Sequence, residues 1–307
     1  MRVFEVGLRD GLQNEARAVS LAQKIALTQG LLKAGIREIE AGAFVRKDKV
    51  PQMADSDALF EWIAEEKQQG RIPDQARWVA LVPNPQGFER ARKVGVENIA
   101  VFTAATETFN RKNIGMSIEQ SLEKIQEVLL LARESAGMAW TRGYVSTAWG
   151  CPFEGRTSVP QAMKVIQALL RLGVNEISIG DTIGVADPRT VKALLKAAIP
   201  EVGVERLAVH FHDTRGTALA NTLRALDLGI TCVDSSVGGL GGCPFAPGAT
   251  GNLATEDLIY MLNGMGLQTG VDLDILAAES LAFHQAIGRP LSSRYLQAYA
   301  SECQRKS

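Results

Sequence analysis

The chain has 307 residues, of which 46% are hydrophobic, and its 33 basic and 34 acidic side chains give a formal net charge of −1. This is the composition of a soluble globular protein, without the basic excess that nucleic-acid-binding proteins use to neutralise phosphates. It contains no apolar run of the roughly 18 residues that a membrane span needs, and no signal or transit segment opens it. We therefore expect a cytoplasmic protein with neither a nucleic-acid nor a membrane partner.

Strand-like apolar runs alternate with helical stretches along the whole chain. Ser-x-x-Gln capping boxes at Ser20, Ser117 and Ser158 predict three helix starts. Six glycines, each followed by an apolar residue, predict helix ends. The eight predicted strands cover 3–9, 36–42, 77–82, 98–103, 140–146, 176–181, 207–212 and 231–237.

Eight successive strand–helix units predict a single (β/α)₈ TIM barrel domain over 1–307. The barrel is expected to occupy about 1–270, and an additional C-terminal helical segment with a polar tail is expected over 271–307. A doubly wound open sheet is the alternative. It would require a glycine-rich phosphate turn after the first strand, and the stretch 9–15 is not such a turn.

Catalytic groups of TIM barrels collect at the C-terminal ends of the strands. At the predicted strand ends this chain carries charged or metal-binding residues, namely Arg9, Asp10, Glu40, Asp181, His210, His212 and Asp234. None of the predicted strands ends in lysine, which a Schiff-base aldolase would need at this position. The pattern therefore favours a metal ion as the electrophile.

The motif His210-Phe211-His212 is the sharpest local signal. Residues at i and i+2 of a strand point to the same side, so both imidazoles can bind one ion. A polar strand rim is the alternative interpretation, and the position at a strand end favours the metal. Only one further histidine exists, His284, so a histidine-rich zinc site is disfavoured. Two imidazoles with oxygen ligands from Asp10 and Asn252 suit six-coordinate Mg²⁺ or Mn²⁺.

Cys243 stands in a glycine-rich run, 238–244, directly after the eighth predicted strand. Such a loop can move to close over a site, and a thiol there can act as a general acid. An inert buried thiol is an equally good interpretation of the residue alone. The four cysteines lack metal or redox spacing, which favours a reducing compartment.

Several stretches, in order and spanning nearly the whole chain, resemble the hydroxymethylglutaryl-CoA lyases, a branch of the metal-dependent TIM-barrel lyases. The matching stretches are 5–15, 143–146, 150–155, 180–184, 210–214 and the run from 233 to 263. The resemblance implies cleavage of a branched 3-hydroxyacyl-CoA, in the parent case hydroxymethylglutaryl-CoA, to acetyl-CoA and acetoacetate. It also implies roles in leucine degradation and ketone body formation, and a homo-oligomer, either a dimer or a tetramer.

The resemblance also implies roles for individual residues. Its metal ligands match Asp10, His210, His212 and Asn252. Arg9 matches the arginine that steadies the enolate oxygen, with Gln13 as a further substrate contact, and Cys243 matches the cysteine that handles protons. Glu40 and Asp181 match the acidic catalytic residues beside the metal.

The chain departs from the family pattern after the second strand. Members usually read Ser-Phe-Val-Ser-Pro-Lys-Trp-Val-Pro-Gln, whereas residues 43–52 read Ala-Phe-Val-Arg-Lys-Asp-Lys-Val-Pro-Gln, and Ala16 replaces a common lysine. We therefore also consider a lyase for a bulkier 3-hydroxy-3-alkylglutaryl-CoA. A Claisen-type synthase would carry a further C-terminal domain. A non-catalytic acyl-CoA-binding protein would lack proton-handling groups such as Cys243.

Overall fold

The computed structural model describes residues 1–242, 251–290 and 292–306. Within them, eight parallel strands close into a barrel whose neighbours follow the order of the chain, and β1 completes the circle by pairing with β8. The strands are β1 (Arg2–Glu5), β2 (Glu38–Ala43), β3 (Arg77–Leu81), β4 (Asn98–Ala104), β5 (Trp140–Ser146), β6 (Glu176–Asp181), β7 (Leu207–Phe211) and β8 (Cys232–Ser235). This closed sheet confirms the TIM barrel and rules out the open sheet.

Helices follow the strands and bury their apolar faces against the barrel. The three predicted capping boxes are all formed, and the six predicted helix-ending glycines all have positive φ. The helices are α1 (Leu21–Lys33), α2 (Ser56–Gln68), α3 (Pro85–Lys93), α4 (Glu107–Ile114), α5 (Ile118–Glu134), α6 (Val159–Leu172), α7 (Pro188–Val202), α8 (Ala218–Leu226), α9 (Thr255–Gly264), α10 (Leu273–Ile287) and α11 (Arg294–Lys306).

The first strand is shorter than the sequence predicts. It ends at Glu5 rather than at residue 9, and Gly7–Gly11 forms a π-helical turn. The buried Glu5 carboxylate accepts hydrogen bonds from the backbone N–H groups of Gly7 (2.7 Å) and Val237 (2.9 Å). These contacts end the strand and fasten the turn to the segment after β8.

Burial of Glu5 has a consequence for stability. Burial raises the pKa of its carboxyl from 4.5 to about 7, although hydrogen bonds from Thr255, Val237 and Gly7 oppose the shift. Since the folded chain then holds a proton that the unfolded chain releases, the free energy of unfolding decreases as the pH rises from 4.5 to about 7. We expect a loss of up to about 3 kcal/mol over this window.

The substitution Glu5→Gln should remove this pH dependence, since the amide oxygen can still accept from the two backbone N–H groups. Urea unfolding at a series of pH values measures the difference between variant and wild type. That difference should increase in favour of the variant as the pH rises through the window. Glu65→Gln, at an exposed position of α2, is the matched control and should give a constant difference. A constant difference for Glu5→Gln as well would contradict the expectation.

The polar tail expected after the last helix is itself helical. The Asp257 carboxylate accepts hydrogen bonds from the backbone N–H groups of Arg294 (3.0 Å) and Tyr295 (2.7 Å), which caps the start of α11. Leu296 is fully buried, and the Tyr260 and Tyr295 rings lie 5.4 Å apart. Ser293 also caps this helix, since its Oγ atom accepts from the backbone N–H of Leu296 (3.1 Å). Sequence reasoning missed the helix although this local signal was present, because the partners it packs against lie on α9 and α10. No described helix is long and apolar enough to cross a membrane.

Candidate metal centre and active site

Asp10, His210 and His212 lie together at the C-terminal end of the barrel. The Nε2 atoms of His210 and His212 lie 3.9 Å and 3.8 Å from the same Asp10 oxygen, Oδ2. The imidazole centroids are 5.3 Å apart, so both rings lie on one side of the chain. Three donor groups at this spacing can bind one ion, and the carboxylate and imidazole donors suit a divalent metal.

Asn252 completes this group. The segment around it pairs with His212 across an isolated antiparallel bridge, and its amide Nδ2 lies 2.9 Å from Asp10 Oδ2. Its buried Oδ1 atom has no hydrogen-bond partner among the described residues. The Nδ2 atom also donates to the Leu240 carbonyl (3.0 Å), which fixes the orientation of the amide. The unpartnered Oδ1 atom is therefore the one available as a ligand to an ion near Asp10.

Arg9 joins this group to a buried carboxylate. Its Nε atom donates to Glu40 Oε2 (2.7 Å) and its Nη1 atom donates to Asp10 Oδ1 (2.8 Å). Tyr144 donates its hydroxyl hydrogen to the same Glu40 oxygen (3.1 Å), and the Arg9 guanidinium lies 5.4 Å from the Tyr144 ring centre. Arg9 is therefore held by three neighbours and presents a fixed positive charge beside Asp10.

The pKa values of the group follow from burial and charge. Burial raises the pKa of Asp10, but the positive charge of Arg9 and the two histidines outweigh it, and the pKa ends well below its usual range. Burial and the neighbouring His210 lower the pKa of His212 to about 4. At neutral pH Asp10 is thus ionised and His212 is neutral, which are the states that bind metal.

His210 is oriented by a second carboxylate, which the sequence placed at a strand end without a role. Asp234 Oδ2 lies 3.2 Å from His210 Nδ1. The Asp234 carboxylate also accepts hydrogen bonds from Arg142 (2.6 Å) and Ser178 (2.9 Å). Burial lowers the pKa of His210, but the carboxylates of Asp234 and Asp10 outweigh it and raise that pKa. Nδ1, which faces Asp234, keeps its proton, and Nε2, which faces Asp10, is the atom that would release its proton to bind a metal.

Replacing Asp234 by asparagine should therefore weaken metal binding. The neutral amide no longer fixes the His210 tautomer, and losses of about 10- to 100-fold in affinity are usual for such outer residues. Titration with Mn²⁺, followed by the loss of the free-ion paramagnetic resonance signal, measures this directly. Ser178→Ala, which keeps the carboxylate, should have a smaller effect. Equal affinity in Asp234→Asn and wild type would refute the assignment.

The other predicted site residues have different surroundings. Asp181 ends β6, and its carboxylate oxygens accept hydrogen bonds from the backbone N–H groups of Val185 (3.0 Å) and Ala186 (2.9 Å). Both contacts fix the loop that follows the strand. His284 is fully buried in α10, away from the other two histidines. Cys243 lies outside the described residues.

A cavity of about 530 Å³ opens above the histidine pair. Arg9, Asp10 and the predicted substrate contact Gln13 line one side of it. Arg46 and Lys49, from the loop after β2, line another. Part of the apolar wall comes from β4, α4, the turn after α4, and α5, namely Phe102, Phe109, Ile114, Met116 and Ile125. The cavity can hold a small organic molecule with one end at the metal-binding group.

The sequence showed Asp234 without a role and did not single out Tyr144; the signal for both is the placement of polar residues on the inward-facing side of a barrel strand. Arg142 and Tyr144 are two residues apart on β5 and both are buried, as is Asp234 on β8. Polar residues on the inner face of a barrel must be paired. The partners come from distant strands, so the sequence did not reveal the pairing.

A family model described as HMGL-like matches residues 1–281. The chain belongs to the HMGL-like family. The mitochondrial hydroxymethylglutaryl-CoA lyase of Bos taurus is 47% identical over 97% of this chain and 89% of that protein. The hydroxymethylglutaryl-CoA lyase of Pseudomonas mevalonii is 45% identical over 100% of this chain and 99% of that protein. The sequence resemblance to this family is thereby confirmed.

Solved structures of HMGL-like proteins have the same fold. The hydroxymethylglutaryl-CoA lyase of Pseudomonas aeruginosa superposes with a TM-score of 0.92 at 44% identity, covering 98% of this chain and 97% of that one. An HMG-CoA lyase from Acinetobacter baumannii, solved with coenzyme A and 3-methylmalate, superposes with a TM-score of 0.89 at 35% identity, covering 97% and 94%.

Proposed function

We propose that this HMGL-like protein is a divalent-metal-dependent carbon–carbon lyase that cleaves hydroxymethylglutaryl-CoA to acetyl-CoA and acetoacetate. The observation that carries the proposal is the contact of Arg9 with Asp10 at the base of the cavity, beside the two histidines. This arrangement provides ligands for a metal and a fixed cation for the developing negative charge. The names of the relatives, and the coenzyme A bound in one of them, support the same substrate class.

Asp10, His210, His212 and Asn252 would hold the metal, and the unpartnered Asn252 Oδ1 supports a fourth donor, an oxygen, at this place. When bound, a divalent ion such as Mg²⁺ or Mn²⁺ acts as a Lewis acid that makes a substrate hydroxyl more acidic. The donor set contains two oxygens and two imidazole nitrogens, which both ions accept.

Arg9 would stabilise the negative charge that develops on the thioester oxygen when the carbon–carbon bond breaks. A buried, fixed cation is effective here because it needs no reorganisation during the reaction. Glu40 and Tyr144 hold the guanidinium in place. Gln13 lines the same side of the cavity and is proposed as a substrate contact. Asp181 is proposed to contribute by holding the loop that carries Thr182, another cavity-lining residue.

Cleavage leaves an enolate carbon that must accept a proton, and Cys243 is the proposed donor. The proposal rests on its place in the glycine-rich sequence after β8 and on the family resemblance. Cys243→Ser should reduce kcat by about 10²- to 10⁴-fold, the usual contribution of a proton-transfer group, while KM changes little. Steady-state kinetics of acetyl-CoA release measure both constants. Cys151→Ser is the control, and a kcat unchanged in Cys243→Ser would remove the role.

The reaction would serve leucine degradation and ketone body formation, and we propose a cytoplasmic homo-oligomer, a dimer or tetramer. The pathway and the oligomer follow from the substrate and the resemblance, whereas the cytoplasmic location rests on the cysteine pattern, which favours a reducing compartment. Size-exclusion chromatography with light scattering gives the oligomeric state. A monomer at micromolar concentration would contradict that part of the proposal.

A second candidate is a lyase for a bulkier 3-hydroxy-3-alkylglutaryl-CoA, and the apolar wall formed by α4 and α5 favours it. A panel of 3-hydroxyacyl-CoA esters with increasing 3-alkyl length, assayed for acetyl-CoA release with and without metal, tests both candidates. The proposed function requires cleavage of hydroxymethylglutaryl-CoA itself. A kcat/KM that rises with alkyl length would transfer the assignment to the second candidate, and no release from any ester would refute both.

A further inference from the structure

The loop between β2 and α2 is where this chain departs from its family pattern. Some of its charged side chains form ion pairs and one does not. Arg46 donates to Asp48 through Nε (3.1 Å) and Nη2 (2.6 Å). Lys47 lies 3.0 Å from Asp57 on α2. Lys49 is exposed and forms no ion pair with any described residue. Arg90 also contacts the Asp57 carboxylate (2.6 Å), so Lys47 shares its partner. Of the three basic side chains of the loop, Lys49 is the one without an acidic partner among the described residues.

The position of that charge links it to the active site. Lys49 and Arg46 line the cavity whose base contains the histidine pair, whereas Lys47 is not among the described lining residues. Ala43, where the family usually has serine, is fully buried and is also absent from that lining. Of the described residues in this loop that differ from the family pattern, Arg46 and Lys49 line the cavity, and both add positive charge to its wall.

We propose that Lys49, assisted by Arg46, binds a phosphate group of the coenzyme A part of the substrate. The inference rests on the proposed function, because it takes the occupant of the cavity to be an acyl-CoA. The reacting end of such a substrate must reach the buried Asp10 group, so its nucleotide end emerges where the cavity wall is exposed. Arg46 and Lys49 are exposed, and the phosphates of coenzyme A are the anions that remain near solvent.

An exposed cation and a phosphate attract each other weakly and in a salt-dependent way. Neutralising Lys49 should therefore weaken binding of coenzyme A by about two- to fivefold at low ionic strength. The difference should shrink as salt is added, because screening weakens the wild-type contact. A contribution of this size affects KM and leaves kcat nearly unchanged, since it is the same in the ground state and the transition state.

The experiment compares Lys49→Gln with Lys47→Gln, a matched change of a neighbouring lysine that is paired with Asp57. Isothermal titration with coenzyme A alone, at two salt concentrations, measures affinity without turnover. We expect Lys49→Gln to weaken binding, Lys49→Arg to restore it, and Lys47→Gln to match wild type. Equal affinity in Lys49→Gln and Lys47→Gln would overturn the proposal.

A second arm uses the corresponding pantetheine ester, which lacks the nucleotide phosphates. We expect Lys49→Gln to raise KM for the coenzyme A ester and leave KM for the pantetheine ester unchanged. An equal rise for both esters would overturn the proposal and assign Lys49 to the carboxylate of the acyl group. If the wild type cleaved neither ester while coenzyme A still bound through Lys49, the proposed function would be refuted and the phosphate contact would stand. Failure of the proposed function is therefore distinguishable from failure of the Lys49 proposal.

Discussion

Removing the divalent ion by chelation, or replacing His212 by asparagine, should reduce acetyl-CoA release by more than about 100-fold, beyond the range usual for residues outside the ligand set. The reason is geometric. Both histidines and Asn252 are positioned around one Asp10 oxygen. The loss of one ligand therefore leaves the ion incompletely coordinated. In the wild type, activity lost on chelation should return when Mg²⁺ or Mn²⁺ is added. The His212→Asn variant should need a far higher metal concentration to bind the ion.

The third histidine provides the control. His284 is buried in α10, away from the other two. His284→Gln, once shown to be folded by its thermal transition, should bind one Mn²⁺ per chain as wild type does. Activity that survives thorough chelation, or a His212→Asn variant with wild-type Mn²⁺ affinity, would contradict the assignment of these residues as ligands.

Replacing Arg9 by methionine should reduce kcat by about 10²- to 10³-fold, the loss usual when one charge-stabilising group is removed from a buried site. It should also lower stability by about 3 to 5 kcal/mol, because the Glu40 carboxylate, fully buried, loses its cationic partner. Steady-state kinetics and urea unfolding measure the two effects.

A double variant separates the two effects of the Arg9 substitution. In Arg9→Met with Glu40→Gln, no unpaired buried charge remains at position 40, so part of the lost stability should return. The kcat should not return, because the cation beside Asp10 is still missing. If kcat recovered together with stability, Arg9 would be a structural residue and its proposed role in charge stabilisation would be wrong.

The barrel could be predicted from sequence because its signals are local. Each strand is a short apolar run, and the helix boundaries are marked by capping boxes and glycines that the structure reproduces. The end of β1 was predicted wrongly, since it depends on Glu5 accepting a hydrogen bond from Val237, more than two hundred residues away. Local patterns cannot contain such a contact.

The candidate site, too, could be predicted where its signals are local and could not where they join distant strands. The alternation within 210–212 predicted that the two histidines share a side, and the structure brings them to Asp10. The pairing of Asp234 with His210, and of Tyr144 with Glu40, joins residues from different strands. Their charges are visible in the sequence, but which carboxylate faces which partner depends on the register of the barrel.

The central claim is that one metal-binding group at Asp10, His210 and His212 drives cleavage of hydroxymethylglutaryl-CoA. A single titration tests it: metal-free protein is titrated with Mn²⁺ while bound metal and acetyl-CoA release are measured on the same samples. We expect both to rise together and to level off at one Mn²⁺ per chain, with neither rising in a variant carrying His210→Asn and His212→Asn. Full acetyl-CoA release before any metal is bound, or metal binding at this site without any release, would contradict the claim.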